Sequence, residues 1–355
     1  MGSRGVSARS DRRKILSHLL RVDVEWAQRY VEWAQFFVEW APALRRVGVS
    51  GLACAHSTKN SAHSTAVLGT LGERVAEVER VTVFRMGMFD GKVVYITGIA
   101  RGQGRNHALR FAREGAAIIG LDIAGPVIDH ATYPPATTDD LDETVRLVEE
   151  AGGKILARQG DTRDLAFQQE LVADGVELLG RLDHVVANAG ILTWGTTWEM
   201  TEEQFTDVVD VNLVGTWKTL RATIPAMLEA GNGGSITIIS SVAGLKAMPM
   251  QASYSASKFG LRGLTQTAAK ELGHYRIRVN SVHPYAVDTP MGVADTEAHR
   301  IFGMRWVTPH LKSILDHHPV ASPDEISDAV LYLASDGAKA ITGAEFSIDM
   351  GNSKV

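Results

Sequence analysis

From Met88 onward, short apolar runs ending in turn residues alternate with amphipathic stretches of helical period: KVVYITG, RNHALRFAREG, AAIIGLD, DLDETVRLVEEAGG, KILARQGD, LAFQQELVADGVELLG and LDHVVANAG. Strands this apolar must be covered on both faces, and helices inserted between them supply the cover. The alternation predicts an α/β fold built on a doubly wound parallel sheet flanked by helices, in a single domain spanning residues 88–355. Each helical stretch mixes polar and apolar positions, as a helix lying on a sheet must.

The preceding residues 1–87 are different material. They hold 13 basic and 8 acidic residues against 23 and 33 in the remainder, although the whole chain carries only −5. That balance argues against a general nucleic-acid-binding surface. Within the segment, VEWAQRY, VEWAQFF and VEWAP repeat at intervals of seven, with Trp26, Trp33 and Trp40 in register. At 100° per residue the Val and Ala positions fall opposite the Trp positions, so no single coiled-coil seam forms. A poorly ordered or partly helical extension is expected, either a partner-binding helix or the product of a start codon set too far upstream, the latter being preferred. The Arg-rich beginning suggests a transit peptide, but acidic residues soon interrupt it. Cys54 is the only cysteine, so no disulfide or Cys-based metal site is available after it. With no run of ~18 apolar residues, the expectation is a cytoplasmic protein that does not enter a membrane.

The first strand-to-helix turn reads TGIARGQG, with Gly98, Gly102 and Gly104. Glycines there permit positive φ and close approach of backbone N–H groups to a pyrophosphate at a helix start. Asp122 ends the next strand, where a carboxylate accepts hydrogen bonds from ribose hydroxyls and repels a 2′-phosphate. NAD is therefore expected rather than NADP, with Ile123 offering no basic alternative, while Arg101 argues mildly the other way. Tyr254 and Lys258 lie four residues apart in YSASK, on one face of a predicted helix. An ammonium beside a phenol lowers the phenol's pKa and makes it a usable acid or base. Ser241 lies 13 residues upstream, at the end of the apolar SITIIS segment.

Together these residues resemble the short-chain dehydrogenase/reductase family. Its TGxxxGxG pattern is similar to TGIARGQG, its NNAG motif to ANAG (Ala187 to Gly190), its active-site asparagine to Asn212, and its SSxxG and YxxxK motifs to SSVAG and YSASK. The resemblance implies a Rossmann-type fold with Tyr254 as proton donor or acceptor, and Ser241 polarising the substrate oxygen. It implies that Lys258 binds the nicotinamide ribose, that Asn212 holds a water, and that Asp161 with Thr162 meets adenine. Asn188 stabilises the central sheet in this reading. The remaining cofactor contacts would come from Gly98, Arg101, Gly102, Gln103, Gly104, Asp122, Ile123, Ala189, Gly190, Tyr254, Pro284, Val287 and Thr289. One departure is Tyr285, which follows Pro284 where a glycine is often found in the family and puts the local nicotinamide contacts in question. The family further implies a homotetramer.

Two features are similar to the mycofactocin-coupled, carveol-dehydrogenase-like subgroup: the continuation GQGRNHA, and an insertion after the second strand that is longer than the usual connection of two to six residues. That resemblance implies a tightly bound NAD reoxidised by mycofactocin, and a hydrophobic secondary alcohol or ketone, terpenoid-like, as substrate. Trp194, Trp198, Met291, Ile301, Phe302, Met304 and Trp306 are candidate apolar linings for the substrate and its lid. No metal site is expected, since the adjacent His317 and His318 diverge and lack a third ligand. An ordinary family member with freely exchanging NAD(H), and a non-catalytic NAD-binding sensor or scaffold, remain alternatives at this point.

Overall fold

In VVYIT, strand β1 (Val93–Thr97), all five residues are buried, and the alternation of a strand sends them to two different cores. Val94 and Ile96 join one apolar cluster, Val93 and Tyr95 the other. The computed structural model describes residues 87–129 and 131–355. Apart from Gly87, the proposed N-terminal extension and its heptad repeat lie outside the described residues.

After β1 come α1 (Gly102–Arg113), β2 (Ala117–Asp122), α2 (Thr138–Glu150), β3 (Ile155–Gln159), α3 (Leu165–Leu179) and β4 (His184–Ala187). These match the predicted alternation. There follow α4 (Glu202–Val209), a turn of π-helix (Asp210–Gly215) running straight into α5 (Thr216–Ala230), then β5 (Gly234–Ile239), α6 (Ala252–Leu272) and β6 (Ile277–Pro284). Two short helices, α7 (Pro290–Val293) and α8 (Thr296–Phe302), precede α9 (Pro323–Ala334) and β7 (Glu345–Ile348). The seven strands form one sheet in the order β3-β2-β1-β4-β5-β6-β7, all pairs parallel.

Helices cover both faces. Phe111 of α1, Val148 of α2 and Val330 of α9 pack in the first cluster, whereas Leu171 of α3, Leu220 of α5 and Leu261 of α6 pack in the second. Because β2 and β4 flank β1, the chain leaves β1 in opposite directions in its two halves. Such a reversal opens a crevice at the carboxyl ends of the strands. Two irregular segments overhang that end: residues 123–137 between β2 and α2, and residues 285–322 between β6 and α9. No helix among the described residues is long and apolar enough to cross a membrane.

Candidate active site

The crevice begins at the glycine loop. Gly98 has φ +75°, and a Cβ there would stand 3.0 Å from both the Ala189 Cα and the Asn188 amide. At Gly104 a Cβ would come within 1.9 Å of the Gly98 carbonyl oxygen, so the start of α1 can lie this close to β1 only without a side chain. Asn188 ties the neighbouring strand ends together. Its Nδ2 donates to the Thr97 carbonyl at 2.9 Å, while the backbone N–H groups of Asn188 and Ala189 both donate to Thr97 Oγ1 at 3.0 Å.

At the tip of β2, Asp122 Oδ2 accepts from Ala100 N and Oδ1 from Ala124 N, each at 2.9 Å. Burial pushes its carboxyl pKa up, and those two N–H groups pull it back. Each oxygen retains a lone pair for a ribose hydroxyl. A cavity of about 430 Å³ opens here. It takes in the glycine loop from Gly98 through Arg101, Gly102, Gln103 and Gly104, the strand-end residues Asp122, Ile123, Asp161 and Thr162, the Asn188–Gly190 turn, and Thr289. Most of the expected cofactor residues thus lie around one space, and the buried Oε1 of Gln103 has no partner among the described residues. The glycine cradle, the free amide oxygen and the strand-end carboxylate fit NAD.

Arg101 behaves differently from its neighbours. Its guanidinium donates to the Pro134 carbonyl and, at 3.1 Å, to the Pro135 carbonyl. Through these two bonds it fastens the 123–137 segment over the cavity, a role that needs no 2′-phosphate. Pro126, Val127, Ile128 and Tyr133 of that segment line the same cavity. Arg105 adds a second fastening: Nε donates to Thr144 Oγ1 at 2.9 Å, and Nη2 donates to the Asp140 carbonyl at 2.7 Å. The GQGRNHA continuation and the long insertion, separate features in the sequence, are therefore parts of one clasp. Asp161 is also engaged, since Arg163 donates to it through Nε at 2.9 Å and through its backbone N–H at 2.8 Å.

A second, smaller cavity of about 180 Å³ adjoins the first, with Gln103, Asn188, Gly190, Thr289 and Met291 shared between them. Ser241, Tyr254, Lys258, Pro284 and Val287 lie on it. Ser241 follows β5 by two residues and caps a short 3₁₀ turn, Oγ accepting from Ala243 N at 3.1 Å. Tyr254 and Lys258 share one face of α6, with Nζ 5.4 Å from the ring centroid. Burial pushes the Tyr254 phenol up, and its hydrogen bond with Ser241 draws it partly back. Burial also holds Lys258 down to about 7, and Nζ donates to the Ile239 carbonyl at 2.9 Å. The phenol's own burial thus outweighs the lowering that the spacing suggested. Phenolate and ammonium formed together would offset each other's burial.

Asn212 lines neither cavity. It sits in the π-helical turn, with Oδ1 accepting from Ile191 N at 2.8 Å and Nδ2 donating to the Ile191 carbonyl at 2.9 Å and to Ser257 Oγ at 3.2 Å. Its side chain thus braces the segment after β4. Such π-turns occur preferentially at functional sites. His283, which the sequence reading missed, lies fully buried behind Ser241: Nδ1 donates to the Ser241 carbonyl at 2.8 Å and Nε2 accepts from Ser281 Oγ at 2.8 Å. Burial lowers its pKa, keeping it neutral. Tyr285 lies on the wall of the smaller cavity. Its hydroxyl donates to the Leu311 carbonyl at 3.0 Å, turning its bulk into a brace for the 285–322 segment.

Of the candidate apolar linings, Trp194, Met291 and Phe302 reach the smaller cavity. Ile301 is buried, and Trp198 and Trp306 are 82% and 54% exposed. Neither these three nor Met304 lines either cavity. An apolar side chain in an irregular segment need not face its concave side.

A family model described as short chain dehydrogenase matches residues 92–300. An uncharacterized NAD-dependent oxidoreductase of Mycobacterium tuberculosis is 54% identical over 269 residues, covering 75% of this chain and 98% of its own length. Among solved structures, a short chain dehydrogenase from Mycobacterium paratuberculosis bound to NAD is 46% identical, with TM-score 0.73, covering 76% of this chain and 100% of the other. A carveol dehydrogenase from Mycobacterium avium in complex with NAD is 41% identical, with TM-score 0.70 and the same coverage.

Proposed function

The chain belongs to the short-chain dehydrogenase/reductase family and is an NAD-dependent oxidoreductase, and on that premise we propose that it oxidises a small hydrophobic secondary alcohol to a ketone using an NAD that stays bound between turnovers. Mycofactocin is the proposed acceptor that reoxidises the cofactor in place. The observation that carries the reading is the clasp: Arg101 holds the 123–137 segment across the cavity that the cofactor residues surround, and Arg105 fastens the start of α2, into which that segment runs.

When bound, NAD supplies the hydride acceptor. In this reading Tyr254, as phenolate, takes the hydroxyl proton while the carbinol carbon gives up its hydride, and Ser241 steadies the charge on the substrate oxygen. Lys258 supplies the counter-charge that makes phenolate accessible and binds the nicotinamide ribose. His283 holds the Ser241 backbone.

The alcohol pocket favours a small substrate. Its volume of about 180 Å³ lies below the ~300–1,000 Å³ of common ligand pockets, and Leu192, Trp194, Met248 and Phe302 make it largely apolar. A monocyclic alcohol of terpenoid size suits that space, and carveol is the substrate in the name of one relative. A homotetramer is proposed as the assembly, supported by the exposed Phe205, Trp217 and Phe259 on α4, α5 and α6.

The test is to desalt the purified protein extensively, denature it and quantify the NAD released. A near-stoichiometric yield is expected. Cofactor-free protein that turns over on added NAD would replace this reading with that of an ordinary dehydrogenase.

A further inference from the structure

Asp295 has no assigned role, yet it is completely buried and three separate segments converge on it. Oδ1 accepts from Thr132 Oγ1 at 2.7 Å and from Glu297 N and Ala298 N at 3.0 and 3.1 Å, while Oδ2 accepts from Trp194 Nε1 at 2.7 Å. Thr132 belongs to the segment over the cofactor cavity, Trp194 to the wall of the alcohol pocket, and Glu297 and Ala298 to α8.

We propose that Asp295 is a positioning residue that latches the cofactor-covering segment to the wall of the alcohol pocket, so that the grip on NAD and the shape of the alcohol site are set together. On the cofactor side, Thr132 is followed by Tyr133, which lines the cofactor cavity and whose hydroxyl accepts from Leu192 N at 3.3 Å. Next come Pro134 and Pro135, the carbonyls gripped by Arg101. A backbone bond from Thr296 N to the Thr132 carbonyl at 3.3 Å runs parallel to the latch. On the alcohol side, Trp194 meets Phe302 of α8 edge to face, with centroids 5.8 Å apart and planes at 87°, and both rings line the 180 Å³ cavity. Leu192, two residues before Trp194, lines that cavity as well.

A carboxylate sealed from water depends on the donors that face it, and moving Thr132 away takes one of the three donors of Oδ1 with no solvent to replace it. The segment over the cofactor therefore cannot lift without breaking the Thr132 bond at the carboxylate that fixes Trp194. The inference rests on the proposed function for what fills the two cavities, and adds that they communicate through one side chain.

The test crosses variants with readouts on the far side of the latch. Thr132→Val deletes a donor in the cofactor segment, and Trp194→Phe deletes one in the alcohol wall, while Asp295→Asn can keep its cap on α8 but presents an amide donor to Trp194. NAD release is followed by exchange against labelled NAD, and alcohol binding by KM for cyclohexanol. Thr132→Val should raise that KM with little change in the single-turnover rate at saturating alcohol. Trp194→Phe should speed NAD release by about tenfold, the scale of one lost hydrogen bond to a charged group. Combining Thr132→Val with Trp194→Phe should do less than the product of the two separate effects, since both act through one carboxylate. A Thr132→Val effect confined to NAD release, a Trp194→Phe effect confined to KM, or effects that multiply would overturn the latch. The readouts are ratios to the wild-type chain, so rapid wild-type NAD exchange would sink the retained-cofactor reading while leaving these ratios to judge the latch. If Asp295→Asn fails to fold, the two peripheral variants still decide.

Discussion

The floor of the site and its roof are built in opposite ways. Ser241, Tyr254, Lys258 and His283 are carried on or beside β5, α6 and β6, elements whose buried faces belong to the main core. Of the segments above them, 123–137 contains no helix among its described residues and 285–322 only short ones, and hydrogen bonds donated by Arg101 and Tyr285 and accepted by Asp295 hold them in place. A floor fixed by core packing suits chemistry that tolerates little displacement. A roof tied at a few points can be adapted to a different alcohol, or to a different hold on the cofactor, without disturbing the sheet.

The largest effect should come from breaking the floor. Tyr254→Phe should lower turnover at least ~10²-fold, the lower end for a positioned acid or base, while NAD retention stays at the wild-type level. Near wild-type turnover would remove Tyr254 from the role. Lys258→Met should act on the pH profile. Burial already holds the Tyr254 phenol up, and alcohol oxidation uses its deprotonated form. The rate therefore rises with pH, and ketone reduction shows the opposite slope. Without the lysine's counter-charge, the midpoint of the rise should move upward by about 1–3 pH units. An unmoved midpoint in a pH series of kcat/KM would separate Lys258 from the phenol.

Breaking the roof should be milder and of a different kind. Arg101→Ala removes two hydrogen bonds from the clasp, and NAD release should quicken by roughly tenfold or more, with the single-turnover hydride rate of pre-loaded protein preserved. A slower hydride step would mean that Arg101 acts on the floor. Smallest of all, Phe302→Ala should raise KM for a monocyclic alcohol a few-fold and relax the size limit, read from a series of ring-substituted alcohols. Unchanged selectivity would take Phe302 out of the wall.

The same division explains what could be read in the sequence. Floor residues sit at short, fixed spacings on periodic elements, so YSASK alone put Tyr254 and Lys258 on one helical face, and the apolar strands announced the sheet. The glycine loop and Asp122 were legible because turn geometry and strand ends dictate them. The roof obeys no period. Asp295 meets partners 163 and 101 residues away in the chain, a convergence that local pattern does not encode. Apolar character alone also misplaced Trp198 and Trp306, which face outward. The brace formed by the Asn212 side chain depends on a π-helical turn, whose extra residue a regular helical period hides.

The central claim is that the alcohol's hydride passes to an NAD that does not leave. Its most direct test is multiple-turnover oxidation of a panel of secondary alcohols by desalted protein, first with added NAD alone and then with an artificial electron acceptor and no added NAD. The account predicts sustained turnover only with the acceptor. Sustained turnover with NAD alone would contradict it.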